Sequence, residues 1–342
     1  MKNTPTLYQR IEGCLIGQAY GDSLGMPSEL WPQSKVKSHF GWIDTFLDGP
    51  EENIAANEFK RGQFTDDTAQ ALTMLDAIFE GEGSIRPKVI ARHIMAWAKR
   101  IDAFNKNILG PTSKHSLQAI EKGEDLDSIE SNGVTNGSAM RVAPIGCILN
   151  TENIDYFIEQ VRQSCIATHK SDIAIAGSVA VAFATSRATQ GVEWKDILVE
   201  LPDIVDIAQT RYESTFSPKL SHRILYAIDC VEQIRESFTG KPEKYQQTIC
   251  EALYQKVGAG MDIIESVPTA LALVHASNTN PIQCAVLAAN LGGDTDTIGA
   301  MACAICGALN GSLVFPKEDI DLLVNANQIS FTEYAETIMT IR

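Results

Sequence analysis

"NLGGDTDTIGAMACAICGALNG" runs from Asn290 to Gly311. Asp294 and Asp296 alternate with Thr295 and Thr297 straight after a Gly-Gly pair, and a stretch of small uncharged residues follows. Residues Ile298–Leu309 are apolar nearly all round a 3.6-residue period. That predicts a helix in the middle of a bundle, where small side chains let helix axes approach. The open question is why two like charges sit at the mouth of the most apolar segment.

Working outward, helical spacing dominates. Leu7–Tyr20, Asp67–Phe79, Pro87–Phe104 and Ile154–Ala167 carry apolar residues three and four apart. Ile173–Thr185 and Ile263–Ala276 resemble the Ile298 segment in being apolar on every side. No alternating strands and no β-α-β rhythm are present. The β-branched piece "DILVELPDIVDIA" reads equally well as helix. Loops are expected at Met26–Gly62, Asn105–Pro111, Lys122–Thr135 and Thr239–Tyr245. The pattern predicts an all-α protein of one domain over residues 1–342. Its 26–62 segment, with Trp31, Phe40 and Trp42, is long for a connection and predicts an ordered, lid-like excursion.

Composition narrows the function. The 342 residues can bury a large core, and the net charge of −15 argues against nucleic acid or an anionic membrane as partner. "MKNTPTLYQRIEG" has no apolar stretch or cleavage site, so a cytoplasmic protein without a signal peptide is expected. Residues Ile298–Leu309 are too few to cross a bilayer. Eight cysteines are scattered, and only Cys303 and Cys306 form a C-x-x-C, with no second pair to complete a zinc site. They are expected as small buried residues.

A second acidic helix start echoes the first: "RGQFTDDTAQALTMLDAIF" at Arg61–Phe79, with Thr65 as N-cap and Asp66 and Asp67 in the first turn. Capping explains one such site. Two adjacent acids at one cap repel, and two helices doing this in one chain point to a shared cation. Carboxylates and hydroxyls without paired Cys or His select Mg²⁺, Mn²⁺ or Ca²⁺. Four Asp and two Thr suffice for two ions bridged by a carboxylate, at about 3.5–4 Å.

The motifs in their order resemble those of the ADP-ribosylglycohydrolases, which include the dinitrogenase-reductase-activating glycohydrolases. They are "GCLIGQAYGDSLGMPSE", with Gly21, Asp22, Gly25 and Glu29, then "FTDDT", "TNGSAMRVAPIG", "THKSDIAIAG", "GAGMDIIESVPTALAL" and the closing LGGDTDTIGA stretch. The resemblance implies a compact orthogonal helical bundle with two Mg²⁺ or Mn²⁺ at the base of a cleft. It implies Thr65, Asp66, Asp67, Asp294, Asp296 and Thr297 as metal ligands. Asp66, Asp296 and Glu29 would orient or deprotonate water at ribose C1. Asn136, Gly137, Ser138, Met140, His169, Gly258 and Gly260 would contact substrate, the Asn-Gly-Ser backbone as an anion cradle at a helix start. The implied partner is free or protein-linked ADP-ribose, a mono-ADP-ribosylated target protein included.

Several family members place an aromatic ring or an acid just before this Asn-Gly, where Gly133 and Val134 stand here. Two other functions therefore stay open: hydrolysis of a smaller N-ribosyl compound such as a nucleoside, and a non-catalytic, crystallin-like role. The complete acidic set argues against the last.

Overall fold

The computed structural model describes residues 4–106 and 108–342. Among them are sixteen α-helices and no strand beyond two isolated bridges. In chain order they are Leu7–Gly25 (α1), Gln33–Phe40 (α2), Asp66–Glu80 (α3), Pro87–Arg100 (α4), Pro111–Glu121 (α5), Ala143–Ile148 (α6), Ile154–Cys165 (α7), Asp172–Thr189 (α8), Trp194–Arg211 (α9), Leu220–Ser237 (α10), Pro242–Lys256 (α11), Ile263–Ala276 (α12), Pro281–Ala289 (α13), Thr295–Asn310 (α14), Lys317–Asn327 (α15) and Phe331–Ile341 (α16). The all-α architecture is the one the periodicity predicts.

The centre is the antiparallel pair α1 and α14. Glycines at 13, 17, 21 and 25 fall four apart and form one stripe on α1. A methyl placed on them would lie 2.5, 2.1, 2.1 and 2.4 Å from the backbone oxygens of Gly307, Cys303, Gly299 and Thr295. No side chain fits there, so the two backbones touch. This explains the small-residue composition of Ile298–Leu309: the segment is apolar to be buried and small to be approached. The contact also sets Asp22 of α1 beside the first turn of α14. Around the pair, buried apolar side chains from Ile11 to Ile338 form one continuous cluster. All eight cysteines are free and buried.

Some boundaries differ from the sequence reading. The 26–62 segment contains the short helix α2, which buries only Val36 and so gives little periodic signal. Residues Pro242–Tyr245 already belong to α11, started by a proline that fits the first helical turn. The "DILVELPDIVDIA" piece is helix, running through Pro202 in α9. No helix is long and apolar enough to cross a membrane among the described residues.

Candidate metal centre

The first turns of α3 and α14 meet beside Asp22. Thr65 and Asp294 hold the N-cap positions of these helices, but neither side chain caps its own helix. At α3 the work is done from outside. Asp22 accepts the Thr65 and Thr68 backbone N–H groups at 2.8 and 3.0 Å and their hydroxyls at 3.0 and 2.6 Å. Four donors fill the usual acceptor sites of a carboxylate. Asp22 therefore clamps α3 to α1.

Released from capping, the other acids face one another. Carboxylate oxygens of Asp22, Asp67 and Asp296 lie within 4.8 Å of each other, and so do those of Glu29, Asp294 and Asp296. Asp296 belongs to both triplets. The Thr65 hydroxyl approaches Asp22, Asp67 and Asp296 at 3.0, 2.8 and 3.2 Å, yet it has one proton for three acceptors. Oδ1 of Asp67 and Oδ1 of Asp296 are buried without any hydrogen-bond partner. Thr297 sits beside Asp67 and Asp294. Unpaired buried carboxylate oxygens are strongly unfavourable unless a cation or proton compensates them.

Burial raises the pKa of all six carboxyls, Asp22 to about 6 and Asp66 to about 7. Asp67, Asp296 and Glu29 rise well above the usual range, with neighbouring carboxylates adding to burial, and Asp294 rises too. Asp67, Asp294 and Asp296 are buried, whereas Glu29 and Asp66 are half-buried.

Glu29 is fixed by its flanks. The Leu30 N–H donates to the Gly293 carbonyl and the Gly293 N–H to the Trp31 carbonyl, at 2.7 and 2.8 Å. Asn53 donates to the carbonyls of Pro27 and Glu29. The start of the excursion is thus stitched to the residue before Asp294. Trp31 is itself buried, with the Lys35 ammonium 3.7 Å from its ring centroid, so that face is taken.

The expected substrate contacts are distributed differently from a helix-start cradle. Asn136–Ser138 form a single 3₁₀ turn, and the next α-helix begins only at Ala143. No helix dipole therefore points from Asn136. Its backbone N–H donates to the Met261 carbonyl, while its side-chain amide donates to Asp294 at 2.6 Å. The Ser138 hydroxyl turns to α8, bonding Ala174 and Ser178. Met140 and His169 are buried. A methyl on Gly137 would lie 2.9 Å from the His169 ring, so Gly137 is there to pack on that histidine. Gly258 has φ +99, and the Gly260 N–H donates to Glu265 at 2.8 Å, so this backbone approaches a carboxylate of its own chain.

Asp22, Gln70, Arg141 and Thr168, all buried beside the site, received no role from the sequence. Asp22 had a signal: it is the sole charge between Gly13 and Ser28, on a glycine-striped helix.

With this geometry in place, the comparisons define the class. A family model described as ADP-ribosylglycohydrolase matches residues 3–340. The chain belongs to the ADP-ribosylglycohydrolase family and so to the glycosidase class of hydrolases. It is 51% identical over 337 residues to the uncharacterized protein YegU of Escherichia coli (strain K12), covering 98% of this chain and 97% of that one. It is 26% identical to the ADP-ribosylhydrolase ARH3 of Bos taurus, over 90% of this chain and 87% of that one. It is 24% identical to the ADP-ribosylarginine hydrolase Tri1 of Pseudomonas putida (strain GB-1), over 91% and 73%. A solved structure named ADP-ribosylglycohydrolase-related protein complex has the same fold, with a TM-score of 0.67 at 20% identity over 98% and 97% of the two chains.

Proposed function

We propose that this protein hydrolyses the glycosidic bond at ribose C1 of an ADP-ribosylated substrate, with two hard divalent ions held by Thr65, Asp66, Asp67, Asp294, Asp296 and Thr297. The observation that carries the reading is the pair of carboxylate triplets sharing Asp296, with unpartnered oxygens on Asp67 and Asp296. The donor set is all oxygen, which fits Mg²⁺ or Mn²⁺. Bound ions of this kind orient vicinal ribose hydroxyls and make water acidic enough to react near neutral pH.

The chain's own groups do the rest. The buried Asp67, Asp294 and Asp296 hold charge in place, and Asn136 steadies Asp294. The half-buried Glu29 and Asp66 are the carboxylates within reach of a substrate. One of them takes a proton of the attacking water as the water oxygen bonds C1, while the C1 bond to the leaving group breaks with its electron pair going to the leaving atom, which then takes up that proton. We assign this to Glu29, whose backbone is fixed at the rim. The remainder of the 26–62 excursion would then cover the cleft, and the backbone pair at Gly293 confines any movement to the part beyond Trp31.

A second reading, hydrolysis of a smaller N-ribosyl compound, draws support from Gly133 and Val134. A methyl on Gly133 would lie 2.2 Å from the Thr112 hydroxyl, so no larger side chain fits there. Neither residue offers a ring to a base, and such stacking is worth about 1–3 kcal/mol. The test is a panel with Mg²⁺ or Mn²⁺: ADP-ribosyl-arginine, ADP-ribosyl-serine, O-acetyl-ADP-ribose, poly(ADP-ribose) and ribonucleosides. Chelator-sensitive cleavage of an ADP-ribosyl linkage is expected. Cleavage of ribonucleosides alone selects the second reading, and no turnover with metal bound contradicts both.

A further inference from the structure

Arg141 is 1% exposed and sits in the middle of a chain of buried and part-buried hydrogen bonds that joins both sides of the centre. On one side its Nη1 donates to Gln70 Oε1 at 2.9 Å, and Gln70 Nε2 donates to Asp66 Oδ2 at 2.7 Å. On the other, Nη2 donates to the Thr168 hydroxyl at 2.6 Å. From there contacts run to His169 Nδ1 at 2.8 Å, from His169 Nε2 to the Thr135 hydroxyl at 3.2 Å, and on to the Thr112 hydroxyl at 2.9 Å.

Guanidinium only donates, and that fixes the direction of every link. Gln70 must turn its oxygen to Arg141, which leaves its NH₂ for Asp66. Asp66 is thereby held by Oδ2, with Oδ1 left for a ligand. The Thr168 hydroxyl accepts from Arg141, and its own hydrogen has one acceptor within reach, His169 Nδ1. Burial and the Arg141 charge keep His169 neutral, its pKa pulled down to about 3. A neutral ring that accepts at Nδ1 carries its proton on Nε2 and donates to Thr135. The next residue, Asn136, holds Asp294. Arg141 itself stays charged, with burial lowering its pKa to about 10.

We propose that Arg141 is a positioning residue that sets the Gln70 amide and the His169 tautomer together, and so aligns Asp66 on one wall of the centre and the Thr135–Asn136 turn on the other. The Asp66 half of this rests on the proposed reading of Asp66 as a metal ligand. The His169 half does not. His169 then serves as a neutral relay beneath Gly137 and exchanges no proton with substrate.

The test uses the full chain with ¹⁵N-labelled histidine, its His169 signals identified by their loss in His169→Gln. Long-range ¹H–¹⁵N NMR of the wild type at neutral pH is expected to show a bare Nδ1 and a protonated Nε2. A proton on Nδ1 overturns the proposal. In Arg141→Met the His169 tautomers should mix and Mn²⁺ affinity by calorimetry should fall about 10–100-fold, as when an outer partner of a ligand is lost. Arg141→Lys should recover part of both. Unchanged tautomer and unchanged affinity in Arg141→Met overturn it. Should Arg141→Met not fold, Gln70→Met cuts the chain on the Asp66 side only. It should lower Mn²⁺ affinity and leave the His169 tautomer alone, and unchanged affinity again contradicts the proposal. A wild type that binds no Mn²⁺ defeats the functional reading, and the His169 tautomer then decides the network by itself.

Discussion

In the proposed centre Asp296 would carry the largest share, because both triplets include it and its Oδ1 has no protein partner. Asp296→Asn should abolish divalent binding and turnover. It should also raise the melting temperature of the chelated protein at neutral pH, since one repelling charge disappears. A lowered Tm in the chelated variant contradicts this. The same repulsion gives a pH dependence. A carboxyl whose folded pKa is raised keeps a proton that the unfolded chain releases. It therefore destabilises the metal-free fold as pH climbs from about 3.9, the ordinary Asp value, through the folded values. Those are about 6 for Asp22 and about 7 for Asp66. The chelated Tm should drop between about pH 4 and pH 7, and excess Mg²⁺ should remove most of the drop. A flat chelated profile would count against it. Glu29→Ala should keep the Mg²⁺-dependent Tm gain and lower kcat by about 10²–10⁴. Turnover at the wild-type rate would take Glu29 out of the chemistry.

At the level of elements, the geometry rests on the glycine stripe. A methyl on Gly17 meets the Cys303 carbonyl at 2.1 Å, backbone against backbone, with no rotamer to relieve it. Gly17→Ala should destabilise by about 1–3 kcal/mol or more, read by urea unfolding. It should also weaken Mg²⁺ binding, because α1 carries Asp22 and α14 carries Asp296. A variant as stable as the wild type would show that the helices part easily. Much of this was open to the eye in sequence: the helices with strong periodicity, and the two acidic starts that exceed the needs of capping. Helix α2 was not, since a two-turn helix burying only Val36 leaves no period to read. The α-helix start expected after Asn136 lies further along, at Ala143, for a related reason. The apolar run after Asn136 begins with a 3₁₀ turn and bends before α6, a matter of tertiary hydrogen bonds that local pattern does not record.

Across the whole molecule, the acids come together from positions as far apart as Asp22 and Asp296, and what sequence could show of this was the residue types. Arg141 makes the limit plain. It stands inside the quoted "TNGSAMRVAPIG" motif, but its partners Gln70 and Thr168 lie 71 and 27 positions away. Their service to Asp66 and His169 exists only in the folded chain. The central claim is a dinuclear centre bridged by Asp296. Its most direct test is anomalous diffraction at the manganese edge from crystals of the full chain grown with Mn²⁺. Two peaks flanking the Asp296 carboxylate are expected, one toward Asp67 and one toward Asp294. A single peak, or none between the first turns of α3 and α14, would contradict it.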